Sequence, residues 1–158
     1  MGFWDKVRSV TDKITGKGAD VDVVFPDQDL ELGEPFTIRV VAKIGPNDIE
    51  VKNVELKLEA HEHIEAEGIE VEYEDGEQEV EHEVVRKDSL TYEDEVEVPV
   101  GETLEAGETY EWEVELTIPE ELNGSYQGVF ANHEYAALAV LDAPGNDPES
   151  DWVAFEIY

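Results

Sequence analysis

The stretch 51–64, VKNVELKLEAHEHI, decides the fold. Val54, Leu56, Leu58 and Ala60 alternate with Glu55, Lys57, Glu59 and His61. A strand turns successive side chains to opposite faces, so this period of two predicts a long strand with one buried and one wet side. Glu62 falls where the alternation would bury it, which predicts a bulge, or the end of burial, near Ala60. The apolar side of such a strand needs a second layer over it.

Outward from this strand the same plan recurs. Residues 20–25 alternate and stop at Pro26, and residues 36–44 (FTIRVVAKI) form a second strand before the turn GPND. Residues 70–86 read as a hairpin turning at Asp75-Gly76. It is the most acidic and least apolar segment, read as an edge hairpin whose charge blunts sheet-edge pairing. Residues 90–98 and 110–118 read as two further strands. In the second, Tyr110, Trp112, Val114 and Leu116 face the core while Glu111, Glu113 and Glu115 face water. Asn123-Gly124-Ser125 is a turn, and HEYAALAVL (133–141) loses its alternation, as a strand buried on both faces does, with a short helix as the alternative reading. Residues 152–157 close the set. Strands separated by turn signals predict an all-β fold, a single antiparallel immunoglobulin-like β-sandwich over 19–158.

The first eighteen residues differ. Phe3, Trp4, Val7, Val10 and Ile14 recur at helical spacing, and Gly16 and Gly18 end the run. Through Gly18 there are four basic and two acidic residues, a net of +2, against −32 for the whole chain. This predicts a short basic amphipathic helix over 1–18 attached to an acidic body. An isolated helix this short is marginal in water, so its stripe needs a partner surface. Its own sandwich or a protein partner ranks first, and a membrane surface second.

Forty-two acidic residues stand against ten basic ones, interleaved with apolar residues rather than gathered in a tail. That pattern describes a folded acidic shell. Like charges on neighbouring strands repel in dilute buffer, and at about 1 M salt the Debye length falls to roughly 3 Å and removes most of that repulsion. The composition is read as adaptation to molar salt; inorganic cations or basic partners on the acidic surface are the alternative. Nucleic acid is excluded as a ligand class, because no basic face is present to displace counterions from phosphates. With no cysteine, no long apolar run and no export signal, the chain reads as cytoplasmic.

No catalytic constellation stands out, neither a phosphate-cradling glycine loop nor a nucleophile elbow, so the chain reads as non-enzymatic and without a cofactor. His61 and His63, two apart on a strand, project from one face and are expected to face solvent. They supply the alternative function, a metal-binding protein built on that pair, with His82 and His133 completing a site only if the fold brings them near.

The order of features resembles the arrestin-like sporulation-control family, and more distantly the amino-terminal sandwich of arrestins. An aromatic-basic start precedes ADVDVVF, then LELGEPFTIRVVAKI, IEVKNVELKLEAH and the late block IPEEL, NGSYQG, VFANHEYAALAVLDAPG. The Leu-x-Gly-Glu segment and the strand near Gly128 and Tyr135 carry most of the likeness. The resemblance implies an arrestin-like β-sandwich acting as a non-enzymatic scaffold, one that contacts protein partners or itself through exposed strands and loops. It transfers no functional residue.

Overall fold

The computed structural model describes residues 18–145 and 147–158. Among the described residues there are eight strands: β1 (Ala19–Val24), β2 (Phe36–Ile44), β3 (Ile49–Glu74), β4 (Glu77–Leu104), β5 (Thr109–Leu116), β6 (Tyr126–Gln127), β7 (Ala131–Asp142) and β8 (Val153–Phe155). They form an all-β sandwich of two antiparallel sheets. One is three-stranded, ordered β1-β2-β5, and the other is ordered β4-β3-β7-β6, with β8 also pairing to β7.

The alternation that predicts these strands also builds the core. Val54, Leu56, Leu58 and Ala60 of β3 are buried, and they meet Ile38, Val40 and Ala42 of β2 across the sandwich in one cluster. Strand β7 lies between β3 and the short strands β6 and β8, and side chains on both of its faces are buried over residues 135–141, in keeping with their unbroken apolar run. Ile38, Leu56, Leu58 and Leu141 are essentially inaccessible. Each contributes roughly 1.5–3 kcal/mol by leaving water.

One expectation changes. Residues 90–98 are no separate strand: they belong to β4, which runs unbroken from the hairpin turn at Asp75-Gly76 back into the sandwich. The hairpin is therefore the outer half of one pair of arms, 26 and 28 residues long. The irregularity expected near Ala60 lies in the β3–β4 pairing, where Ala60 pairs with Tyr92 and His61 with Leu90. The extra residue, Thr91, sits on β4 and is left outside the register.

Phe3, Trp4, Val7, Val10 and Ile14, the stripe of the expected amphipathic helix, lie outside the described residues. Among the described residues, no helix is long and apolar enough to cross a membrane.

Candidate functional site

Strand β7 accompanies β3 only as far as the pair Ile64–Ala131. Beyond it, β3 and β4 continue alone as a two-stranded arm to the turn at Asp75 and Gly76. Asp75 has a φ of 53° and Gly76 of 85°, the left-handed pair that a tight two-residue hairpin needs. Residues paired directly across an antiparallel ladder share a face. The arm can therefore be read rung by rung.

On the side continuing the wet face of the sandwich, the rungs are His61/Leu90, His63/Asp88, Glu65/Arg86, Glu67/Val84, Ile69/His82, Val71/Val80 and Tyr73/Gln78. On the side continuing the core face they are Ile64/Lys87, Ala66/Val85, Gly68/Glu83, Glu70/Glu81, Glu72/Glu79 and Glu74/Glu77. Polarity inverts along the arm. The face that carries glutamate over the sandwich turns apolar from Val84 and Ile69 outward, and the face that carries the core turns into a wall of glutamate. Ile69 is 64% exposed and Tyr73 75% exposed, with Val71, Val80 and Val84 close to half exposed. At the arm's base the turn between β6 and β7 adds Val129 and Phe130, 90% and 64% exposed, and the Phe130 carbonyl accepts the Glu65 amide at 2.7 Å.

Sequence reasoning missed this stripe by treating the hairpin as uniformly acidic. The signal was present in IEVEYEDGEQEVEHEV (69–84), where apolar residues sit at odd positions on β3 although those of 54–60 sit at even ones.

The root of the arm is pinned by polar groups. His133 on β7 is buried, and its Nδ1 lies 2.9 Å from the Gly124 carbonyl, which only accepts, so Nδ1 carries a proton. Its Nε2 lies 2.6 Å from the hydroxyl of Thr91, the bulge residue, which also reaches the Ala60 carbonyl at 3.1 Å. Tyr126 stacks on His133 at 5.9 Å and donates its hydroxyl to Glu62 at 3.0 Å. Tyr135 donates to the Asn123 carbonyl at 2.5 Å. Edge strand, inner strand and the 123–125 turn are thus joined where the arm leaves the sandwich. The Thr91 bulge explains why Glu62 is tolerated on the inner phase: the sandwich ends there and a tyrosine hydroxyl meets it.

His61 and His63 are half-buried rather than solvent-facing, and each is engaged by its own carboxylate. His61 Nε2 is 3.0 Å from Glu59, and His63 Nδ1 is 2.5 Å from Asp88. His82 sits on the arm opposite Ile69, and His133 faces inward, so the fold does not gather the four histidines. Among the described residues, the one group of three potential ligands is Glu55, Glu95 and Glu97, with oxygens within 4.8 Å of one another. Burial first, and then the neighbouring Glu95 charge, hold the Glu55 carboxyl above its usual range, against the opposing pull of Lys57.

The SpoOM protein family model matches residues 11–129. Among curated proteins none matches. The crystal structure of Spo0M, a sporulation control protein from Bacillus subtilis, superposes with a TM-score of 0.60 at 20% identity, over 89% of this chain and 49% of that one. The chain thus spans about half the length of that structure, and the likeness at this identity is one of fold.

Proposed function

This chain belongs to the SpoOM protein family, and from that premise we propose that it is a non-enzymatic regulatory scaffold that binds a protein partner and works in molar salt. The Bacillus relative is a sporulation control protein, and a regulatory role of that kind is carried over as part of the proposal. The observation that carries the reading is the arm, a two-stranded ribbon with one apolar face and nothing among the described residues to cover it. Two-stranded hairpins are marginal in water by themselves, and contiguous exposed apolar patches mark interaction surfaces. The acidic surface suits a cytoplasm rich in salt, where screening relieves the charge.

The amino-terminal segment is the second attachment element in this proposal. Residues 1–18 form an amphipathic helix beside the sandwich of 19–158, and Phe3, Trp4, Val7, Val10 and Ile14 dock on a protein surface in preference to a membrane.

The test is capture of partners by the full chain at about 2 M KCl, where screening is nearly complete. It is repeated with an Ile69→Thr/Val71→Thr/Val80→Thr chain and with residues 1–18 removed. Each change should weaken capture while the circular dichroism of the sandwich persists. A folded threonine variant that binds everything the parent binds would overturn the role of the arm. A truncated chain that keeps every interaction would overturn the role of the amino-terminal segment.

A further inference from the structure

We infer that the apolar face of the arm docks on the same face of a second copy of this chain, the two arms lying antiparallel about a two-fold axis near the Ile69/His82 rung. The inference rests on reading the arm as an interaction element, and it names the partner.

Three observations lead there. First, Gly18 lies at the end of the sandwich far from the stripe. The amide of Gly45 donates to the Gly18 carbonyl at 2.8 Å, and a Cβ on Gly18 would lie 3.3 Å from Ile49, which places residue 18 at the end of the sandwich where β3 begins. Ile69 lies twenty residues further along β3, roughly 66 Å away at strand rise.

Second, the charge pattern selects the mode of self-contact. Two copies of a chain with a net charge of −32 repel unless the contact keeps their carboxylates apart. Packing apolar face on apolar face does this. Sheets stack about 10 Å apart, and the walls formed by Glu70, Glu72, Glu74, Glu77, Glu79, Glu81 and Glu83 then point away on opposite sides of the pair. The contact itself holds few charges, and at its margin Arg86 is paired with Glu65 at 3.3 Å.

Third, the ends match. In an antiparallel overlap centred on Ile69, the exposed Tyr73 near the tip of one arm reaches the base of the other, where Val129 and Phe130 are exposed. Each arm then supplies the missing layer for its mate, which a lone hairpin needs. A face about 33 Å long and 10 Å wide, with the turn added, buries roughly 800 Å² in total between the copies. That is the size of a weak, concentration-dependent interface, one that molar salt strengthens by screening the two bodies.

The chain has no cysteine, so single thiols report contact cleanly. Full-length Ile69→Cys and Glu70→Cys chains, on opposite faces of the arm, are oxidised at about 2 M KCl. The Ile69→Cys chain should form disulfide-linked dimers at least ten times faster than Glu70→Cys. Sedimentation equilibrium of the parent should show a monomer–dimer equilibrium that the Ile69→Thr/Val71→Thr/Val80→Thr chain weakens at least tenfold. Equal cross-linking from both faces, or a parent that stays monomeric throughout, overturns the inference. A monomeric parent whose threonine variant loses a different protein partner leaves the interaction reading standing and removes only the second copy. A monomeric parent with no arm-dependent partner removes both.

Discussion

Val71 and Val80 face each other across the arm on the side where, further down the same strand, Glu55 and Glu97 form the equivalent pair. One continuous ladder thus carries an acidic wet face over the sandwich and an apolar wet face beyond it. Burial within this chain explains the first arrangement, since Glu55 backs onto a strand whose other side is core. It does not explain the second, because among the described residues no other strand pairs with the arm beyond Ile64. Among the described residues, nothing covers these two adjacent exposed valines.

Stability should rise steeply with salt. Glu55/Glu97, Glu59/Glu93, Glu70/Glu81, Glu72/Glu79 and Glu74/Glu77 are directly opposed like charges on exposed or half-exposed rungs. Such pairs destabilise a sheet until they are screened. The unfolding midpoint should increase on the order of 10 °C between about 0.1 M and 2 M KCl, most of it at the lower concentrations, as the Debye length shrinks from roughly 10 Å. An equal midpoint at both concentrations would contradict the charge reading.

Replacing His133 should cost far more than replacing the pair first singled out as metal ligands. His133→Ala removes a buried ring that joins the Gly124 carbonyl to the Thr91 hydroxyl, a loss of about 2–3 kcal/mol from the cavity and the two lost hydrogen bonds. His61→Gln with His63→Gln removes half-buried carboxylate contacts and should cost less than about 1 kcal/mol. Chemical unfolding of the two variants at one salt concentration distinguishes them. Equal losses would mean that the root of the arm is not held as described.

How far the sequence was legible depended on where each constraint came from. The alternation of 36–44 and 54–60 was readable because burial against the opposite sheet imposes it, and the apolar run 135–141 because β7 is covered on both faces. Glu62 signalled the bulge near Ala60 by breaking that pattern, although which strand would carry the extra residue depended on pairing with β4. The unity of β4 was not legible, because no core continues into the arm to mark 77–89 and 90–104 as one strand. His133 looked like one histidine among acidic residues, and only the approach of Thr91 and the 123–125 turn makes it buried. The apolar stripe was written in the sequence as a change of phase, but its face could be assigned only once the ladder was known.

Glu55 should be a liability at neutral pH. Its folded pKa is raised by burial and by Glu95, so the group favours folding while protonated, and that contribution is lost as pH rises through the raised value. Glu55→Gln should therefore raise the melting temperature at pH 7 in low salt. The advantage should close as pH falls below about 4, where the carboxyl is protonated in both states. Molar salt should shrink it too, through screening of Glu95. A variant less stable than the parent at pH 7 would reverse this assignment.

The central claim is that the apolar face of the arm is covered when the protein works, and thiol footprinting tests it most directly. Ile69→Cys and Glu70→Cys chains, each carrying the single cysteine of the molecule, are labelled with a maleimide in a native extract at about 2 M KCl, and again after unfolding. The account predicts that Ile69→Cys reacts at least ten times more slowly than Glu70→Cys in the native extract and equally fast after unfolding. Equal native rates at the two positions would mean that both faces of the arm stand in solvent, and would contradict it.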